Sequence, residues 1–236
     1  MKTQSLDRYI NSQIKYWQQQ KNTISVQEKK RRRQFITITR EYGCSGYTLA
    51  KEIIKILNNT EKKPEPLWAA YERGVLDRVM KDMGLSAHLA RTFTDDAQKD
   101  MTDILKTAFS SLPPQVAVYQ KLAETIRLLA ANGNVVLVGR ASNVITRGLV
   151  GGYHVMIVAP MKYKVKNIMK FKNITEKDAE KLVIENTARR ENYIKEYVKF
   201  DVTDPHHYDL VINLARNTIN GVAQLVIEGM KLKSSH

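Results

Sequence analysis

The densest chemistry in the chain lies in one stretch, FITITREYGCSGYTLAKEI, beginning at Phe35. A β-rich apolar run, Phe35 to Thr39, reaches Arg40 and then a turn, Gly43-Cys44-Ser45-Gly46. Behind the turn, Leu49, Ile53, Ile54 and Leu57 recur at helical spacing, with Asn58 and Asn59 placed to end the helix. Strand, turn and helix in that order aim successive backbone N–H groups and a helix N-terminus at one point, a cradle for phosphate oxygens. Gly43 and Gly46 let the backbone turn sharply and keep Cβ atoms out of an anion's way. The pattern is not the usual GxxxxGK[ST]. Tyr47 stands where a lysine is expected, while Thr48 keeps the hydroxyl that ligates Mg²⁺ in such loops. Arg40, just before the turn, is the cation that can stand in by reaching the phosphates from the other side.

Other candidates are weaker by spacing alone. Arg140 follows the apolar run Val135–Val138, at the strand end where ligands of open α/β sheets gather. Arg189 and Arg190 sit on a Glu/Lys-rich helical stretch, and Glu185 lies four residues before Arg189, so a solvated ion-pair face is the reading that spacing favours. Glu72, Arg73 and Asp77 read as a charged helix face, and Trp68 and Tyr71 as packing residues. Cys44 has a helix N-terminus nearby to lower its thiol pKa, but no partner base near it in sequence, and reads as a small loop residue. His206 and His207 lack further ligands at metal-binding spacing and read as a surface loop. No G-x-S-x-G elbow is present, and no carboxylate pair stands out for acid–base chemistry.

These residues need a frame. Strand candidates at 35–39, 135–138, 154–159 and 208–213 alternate with helical patterns at 122–131, 161–170 and 217–231. That alternation predicts an α/β fold with a parallel sheet covered on both faces. The interval 68–131 lacks strong strand signals and reads as a helical insertion. Residues 172–199 read as one long helix, opened by Thr175 as cap with Asp178 answering three residues on.

The charge of +14 divides evenly. Residues 1–34 hold nine basic and two acidic side chains, a net +7 in about a seventh of the chain. Leu6, Ile10, Ile14 and Trp17 give this segment an amphipathic helical pattern. Lys29-Lys30-Arg31-Arg32-Arg33 is a block of the kind that binds nucleic acid or anionic lipid. It has no interleaved aromatics and no recognition signature, so a solvated helix linking into the domain is favoured. One cysteine excludes an internal disulfide framework and a Cys-based zinc module and fits a reducing compartment. No apolar run approaches the roughly 20 residues of a membrane span, and no signal-peptide core is present, so a soluble cytoplasmic protein is expected.

The ordered set ITITREYGCSGYTLA, GNVVLVGRASNVIT, VAPMKYKVKNIM, ITEKDAEKLV with ARRENYIKEYV, and YDLVIN resembles the cytidylate kinase-like family over roughly 35–230. The resemblance implies a P-loop core from 35 to 236, with a nucleotide-monophosphate-binding insertion at about 68–131 and a mobile lid at about 171–203. Gly43, Cys44, Ser45, Gly46, Tyr47 and Thr48 would hold the phosphates of ATP with Mg²⁺, and Arg140 would serve an acceptor such as CMP or dCMP. Arg189 and Arg190 would be lid arginines closing on the transferred phosphoryl group. The chain departs from the family at Tyr47 and at Ala141, where the GRD motif carries its aspartate. A non-catalytic nucleotide-binding module on the same fold is the rival reading those departures favour.

Overall fold

The structure, a computed structural model, describes residues 9, 12, 13, 15, 34–60, 64–72, 116–195 and 200–233. Strand β1 (Phe35–Arg40) alternates its side chains, sending Ile36 and Ile38 to one face and Phe35 and Thr37 to the other, all fully buried. A strand covered on both faces belongs in the middle of a sheet, and β1 lies there. With β2 (Ala69–Tyr71), β3 (Val135–Val138), β4 (Gly152–Val158) and β5 (Leu210–Asn213) it forms one sheet in the order β2-β3-β1-β4-β5. Each neighbouring pair is parallel, in registers such as Ile36 beside Val136 and Ile38 beside Val155. All five carboxyl ends therefore emerge along one edge.

Helices α1 (Gly46–Asn58), α2 (Val116–Asn132), α3 (Ser142–Ile145), α4 (Met161–Lys172) and α5 (Glu176–Tyr193) lie in the crossovers, and α6 (Ile219–Lys233) follows β5. The stripe Leu49, Ile53, Ile54 and Leu57 of α1 joins Val222, Val226 and Met230 of α6 over Ile36, Ile38, Val136, Val155 and Ile157. Helices α2 and α3 contact the β3 and β1 region from the other face. Helices α4 and α5 make a separate hairpin whose small core is Val165, Ile168, Ala179 and Val183, with Tyr42 packed against it. Among the described residues no helix is long and apolar enough to cross a membrane.

Two expectations change. The helical reading of 68–131 fails at its start, because Ala69, Ala70 and Tyr71 form a strand beside β3. Three residues are too few to display a period of two, and alanine is depleted in strands, so only pairing reveals it. Trp68 and Tyr71 are core residues as expected, at 4% and 1% exposure, and 73–115 lie outside the described residues.

The helix expected over 172–199 and opened by Thr175 is present as α5, which starts at Glu176 after that cap. Helix α4 runs to Lys172, and Asn173 ends it in a left-handed conformation with φ +55°. Thr175 then caps α5 by accepting the Asp178 N–H at 3.3 Å, and its hydroxyl donates to Asp178 Oδ2 at 2.7 Å. Residues 196–199 lie outside the described residues.

The solvated reading of the N-terminal segment is also corrected where it is described. Residues 9, 12, 13 and 15 are helical, Tyr9 packs on the main core, and Gln13 is completely buried. The Gln13 amide donates to Leu67 O at 3.1 Å and Asn134 O at 2.8 Å, and it accepts the Tyr71 hydroxyl at 2.6 Å. Asn134 donates to Pro66 O at 2.6 Å, and Asn58 bonds both backbone groups of Trp68 at 2.9 and 2.8 Å. One polar clamp thus holds the amino ends of β2 and β3, at the edge opposite the carboxyl ends. Leu6, Ile10, Ile14, Trp17 and the block 29–33 lie outside the described residues.

Removing the clamp's hub takes the Gln13 bond from the Leu67 carbonyl and the buried Tyr71 phenol, while the Asn134 carbonyl keeps the Ala69 N–H at 3.0 Å; an unsatisfied buried group costs about 1–3 kcal/mol. Gln13→Ala is expected to lower unfolding stability by about that amount. Urea denaturation measures it through a fall in midpoint at unchanged slope.

Candidate functional site

The turn after β1 is held by two pins. The Glu41 carboxylate accepts the Ala159 N–H at 3.0 Å and the Lys164 ammonium at 3.1 Å, with the Lys164 side chain 9% exposed. Gly43 has φ +90°, and a Cβ there would meet the backbone of Lys164 at 2.9–3.0 Å. Asn167 completes the second pin by donating to Gly43 O at 3.0 Å. The glycine at 43 therefore serves the seating of the turn on α4, and the room it leaves is filled by that helix. Cys44 is buried in the core, and burial, then the Glu41 charge, push its thiol up to about 12. The lowering expected from the helix N-terminus does not occur: the group is a neutral thiol. Ser45 precedes the first turn of α1 and makes no side-chain cap, so the helix N-terminus is not closed by its own neighbour. Thr48 is exposed on that first turn.

Tyr47 does not replace a lysine in kind. Its ring packs against the core, and the ammonium of Lys51, one turn along α1, lies 5.3 Å from the ring centroid. The guanidinium that enters the site comes from Arg40. Its methylenes pass over Gly46, where a Cβ would stand 3.2 Å away, and its head lies against Gly139, where a Cβ would overlap it.

Beyond β3 the chain makes three consecutive left-handed residues, Gly139 (φ +75°), Arg140 (φ +58°) and Ala141 (φ +53°). L-residues resist this region by about 1–2 kcal/mol each, and such outliers cluster at functional sites. The run starts α3 and places Arg140 near Arg40. From α5, Arg190 enters the same space, its guanidinium carbon 5.1 Å from the Tyr42 ring centroid. Burial, then the Arg190 charge, push Arg40 down to about 10, with Arg140 adding to the fall and the Glu72 carboxylate opposing it. Burial lowers Arg190 as well; the nearby Tyr42 opposes this and Arg140 adds to it.

Of the expected site residues, Arg40, Arg140, Arg190 and the 43–48 turn gather at the carboxyl edge of β1 and β3. Arg189 is exposed on α5, and Glu185, its expected neighbour, instead pairs with Lys181 at 3.9 Å. Glu72 is corrected from a helix face: it directly follows β2 and counters Arg40. Arg73 and Asp77 lie outside the described residues. Sequence reasoning missed Tyr42, Glu41, Lys164 and Asn167, which act through contacts between segments more than 100 residues apart. His206 and His207 lie on a short turn around Asp204, which accepts from the His206 ring at 2.6 Å. No group of three or more His, Cys, Asp or Glu side chains suited to a metal occurs among the described residues.

Three arginines thus meet beside a strand–turn–helix crossover at the carboxyl edge of a parallel α/β sheet. The chain belongs to the cytidylate kinase-like family, whose profile matches residues 35–216. A cytidylate kinase from Methanocaldococcus jannaschii is 33% identical over 100 residues, 42% of this chain and 56% of that protein. The matched stretch thus spans little more than half of that curated relative. A crystal structure of an uncharacterized protein from Eubacterium ventriosum superposes with a TM-score of 0.64 at 20% identity, covering 85% of this chain and 99% of its own. That likeness supports the fold. TT1252 from Thermus thermophilus reaches only 0.40 at 13% identity, covering 84% of this chain and 98% of its own.

The sign of the Arg40 shift sets an expectation. An arginine held at about 10, below its ordinary unfolded value, binds its proton more weakly folded than unfolded. Stability rises with pH between those values, and the whole cost is present at neutral pH. Arg40→Met keeps the methylenes over Gly46 and removes the charge. It is expected to raise ligand-free stability by about 1–3 kcal/mol in thermal and urea unfolding, and to weaken inorganic pyrophosphate binding at least about ten-fold in calorimetry.

Proposed function

We propose that the protein transfers the γ-phosphoryl group of ATP to a small nucleotide acceptor such as CMP or dCMP, with Mg²⁺. The observation that carries this reading is the convergence of Arg40, Arg140 and Arg190 beside the uncapped start of α1. Guanidiniums brought together in a partly buried site are suited to a multiply charged phosphate, which offsets their mutual repulsion. Family membership supports the reaction class.

In this reading the backbone of Gly43 to Thr48 receives the donor phosphates. Arg40 takes the part of the lysine that Tyr47 replaces, since its head lies between the first turn of α1 and the Arg140 segment. Arg140 binds the acceptor's phosphate. Arg190, rather than the exposed Arg189, stabilises charge spread over the moving phosphoryl oxygens. Thr48 would hold Mg²⁺ through its exposed hydroxyl. Mg²⁺ held there would keep waters and take its remaining ligands from the nucleotide phosphates, whose charge it would offset. The Cys44 thiol is buried and protonated, so no covalent enzyme intermediate is implied. Helices α4 and α5 form the lid side of the site, whose closure excludes water as a competing acceptor.

Two observations favour a second reading, a nucleotide-binding module without turnover: Tyr47 is committed to the core, and Ala141 brings no carboxylate to the site. Incubation with Mg-ATP and a panel of nucleoside monophosphates separates the two. Nucleoside diphosphates are expected, most with CMP or dCMP, and Arg190→Ala is expected to lower kcat about 10²–10³-fold. Binding across the panel without diphosphates establishes the second reading instead.

A further inference from the structure

We infer that Tyr42 is a positioning residue: its ring holds the Arg190 guanidinium beside Arg40 against repulsion from Arg40 and Arg140. The role in phosphate binding rests on the phosphate-site reading above. The placement of Arg190 does not.

The problem Tyr42 solves is electrostatic. Arg40 and Arg140 both act on Arg190 as like charges in a partly desolvated site, so a long side chain at the end of α5 gains by leaving for water. Arg189, its neighbour, is exposed in just that way. The Tyr42 ring lies 5.1 Å from the Arg190 guanidinium carbon, within the range of cation–π attraction. A guanidinium also stacks on an aromatic face with its donors still available at the edges. The platform binds the cation without consuming the hydrogen bonds that a phosphate needs.

The ring is well fixed for this. Its neighbour Glu41 is tied to Ala159 and Lys164, and its other neighbour Gly43 is pressed on Lys164 and tied to Asn167. The side chain itself packs on the α4–α5 core with Met169, Ile174 and Leu182. The ring and the helix that carries Arg190 therefore share one small core, and ring and guanidinium already lie together without a bound phosphate.

The test has two parts, each using the full chain. In ligand-free protein, NMR of the Arg190 side chain is expected to show an upfield ring-current shift that Tyr42→Phe keeps and Tyr42→Leu loses. In calorimetry with inorganic pyrophosphate, Tyr42→Leu is expected to weaken binding about five- to ten-fold, and Tyr42→Phe less than about two-fold. Combined with Arg190→Gln, Tyr42→Leu should add no further loss, since both then remove the same interaction. Absence of the ring-current shift in the wild type, or an undiminished effect of Tyr42→Leu in the Arg190→Gln background, overturns the inference. A wild type that shows the shift and binds no pyrophosphate overturns the phosphate-site reading, leaving the placement of Arg190 supported.

Discussion

Mutual repulsion of three guanidiniums is the constraint around which this structure is arranged. Arg40, Arg140 and Arg190 come from a strand end, a left-handed turn and a helix, and burial or like charge disfavours the charged state of Arg40 and Arg190. Nothing in the hydrophobic core requires them to meet. Each is kept by a different local device: Arg40 by its passage over Gly46 and against Gly139, Arg140 by a backbone conformation that L-residues avoid, Arg190 by an aromatic face. The Glu72 carboxylate at the end of β2 offsets part of the charge. On the phosphate-site reading proposed above, a bound anion is what removes this cost.

The sheet separates this cost from the stabilising contacts. At the carboxyl edge lie the arginines and the turn pinned to α4. At the amino edge, Gln13, Asn58 and Asn134 satisfy the backbone of the segment leading into β2 and of the residue before β3, in a fully bonded network. Buried networks of this kind are stabilising only when every member is paired. The helical residues around Gln13 therefore belong to the domain's foundation, although half of the chain's charge excess lies in the same N-terminal segment.

Much of the sheet was legible in the sequence because apolar β-branched runs and helical stripes are periodic signals. The strands at 35–40, 135–138, 152–158 and 210–213 and the stripe of α1 follow from them. Thr175 was legible as a cap because capping is local chemistry. The strand Ala69–Tyr71 was not, since neither its length nor its composition carries a pattern, and with it went the placement of Glu72. Arg40 and Arg140 were found from their positions at strand ends. Tyr42 and Lys164 gain their roles only when α4 is laid against the turn, a contact between distant segments that no local spacing encodes.

The left-handed run at 139–141 also bears on how this site can change. Ala141 has φ +53°, where alanine is poorly suited and glycine, asparagine and aspartate are better tolerated. Position 141 is also the one at which the chain lacks the family's aspartate. A carboxylate there would meet a backbone already shaped for it and would lie next in sequence to Arg140. The missing acid is thus one substitution away and conformationally downhill, so the acidic side of this site is open to evolutionary restoration without remodelling the fold.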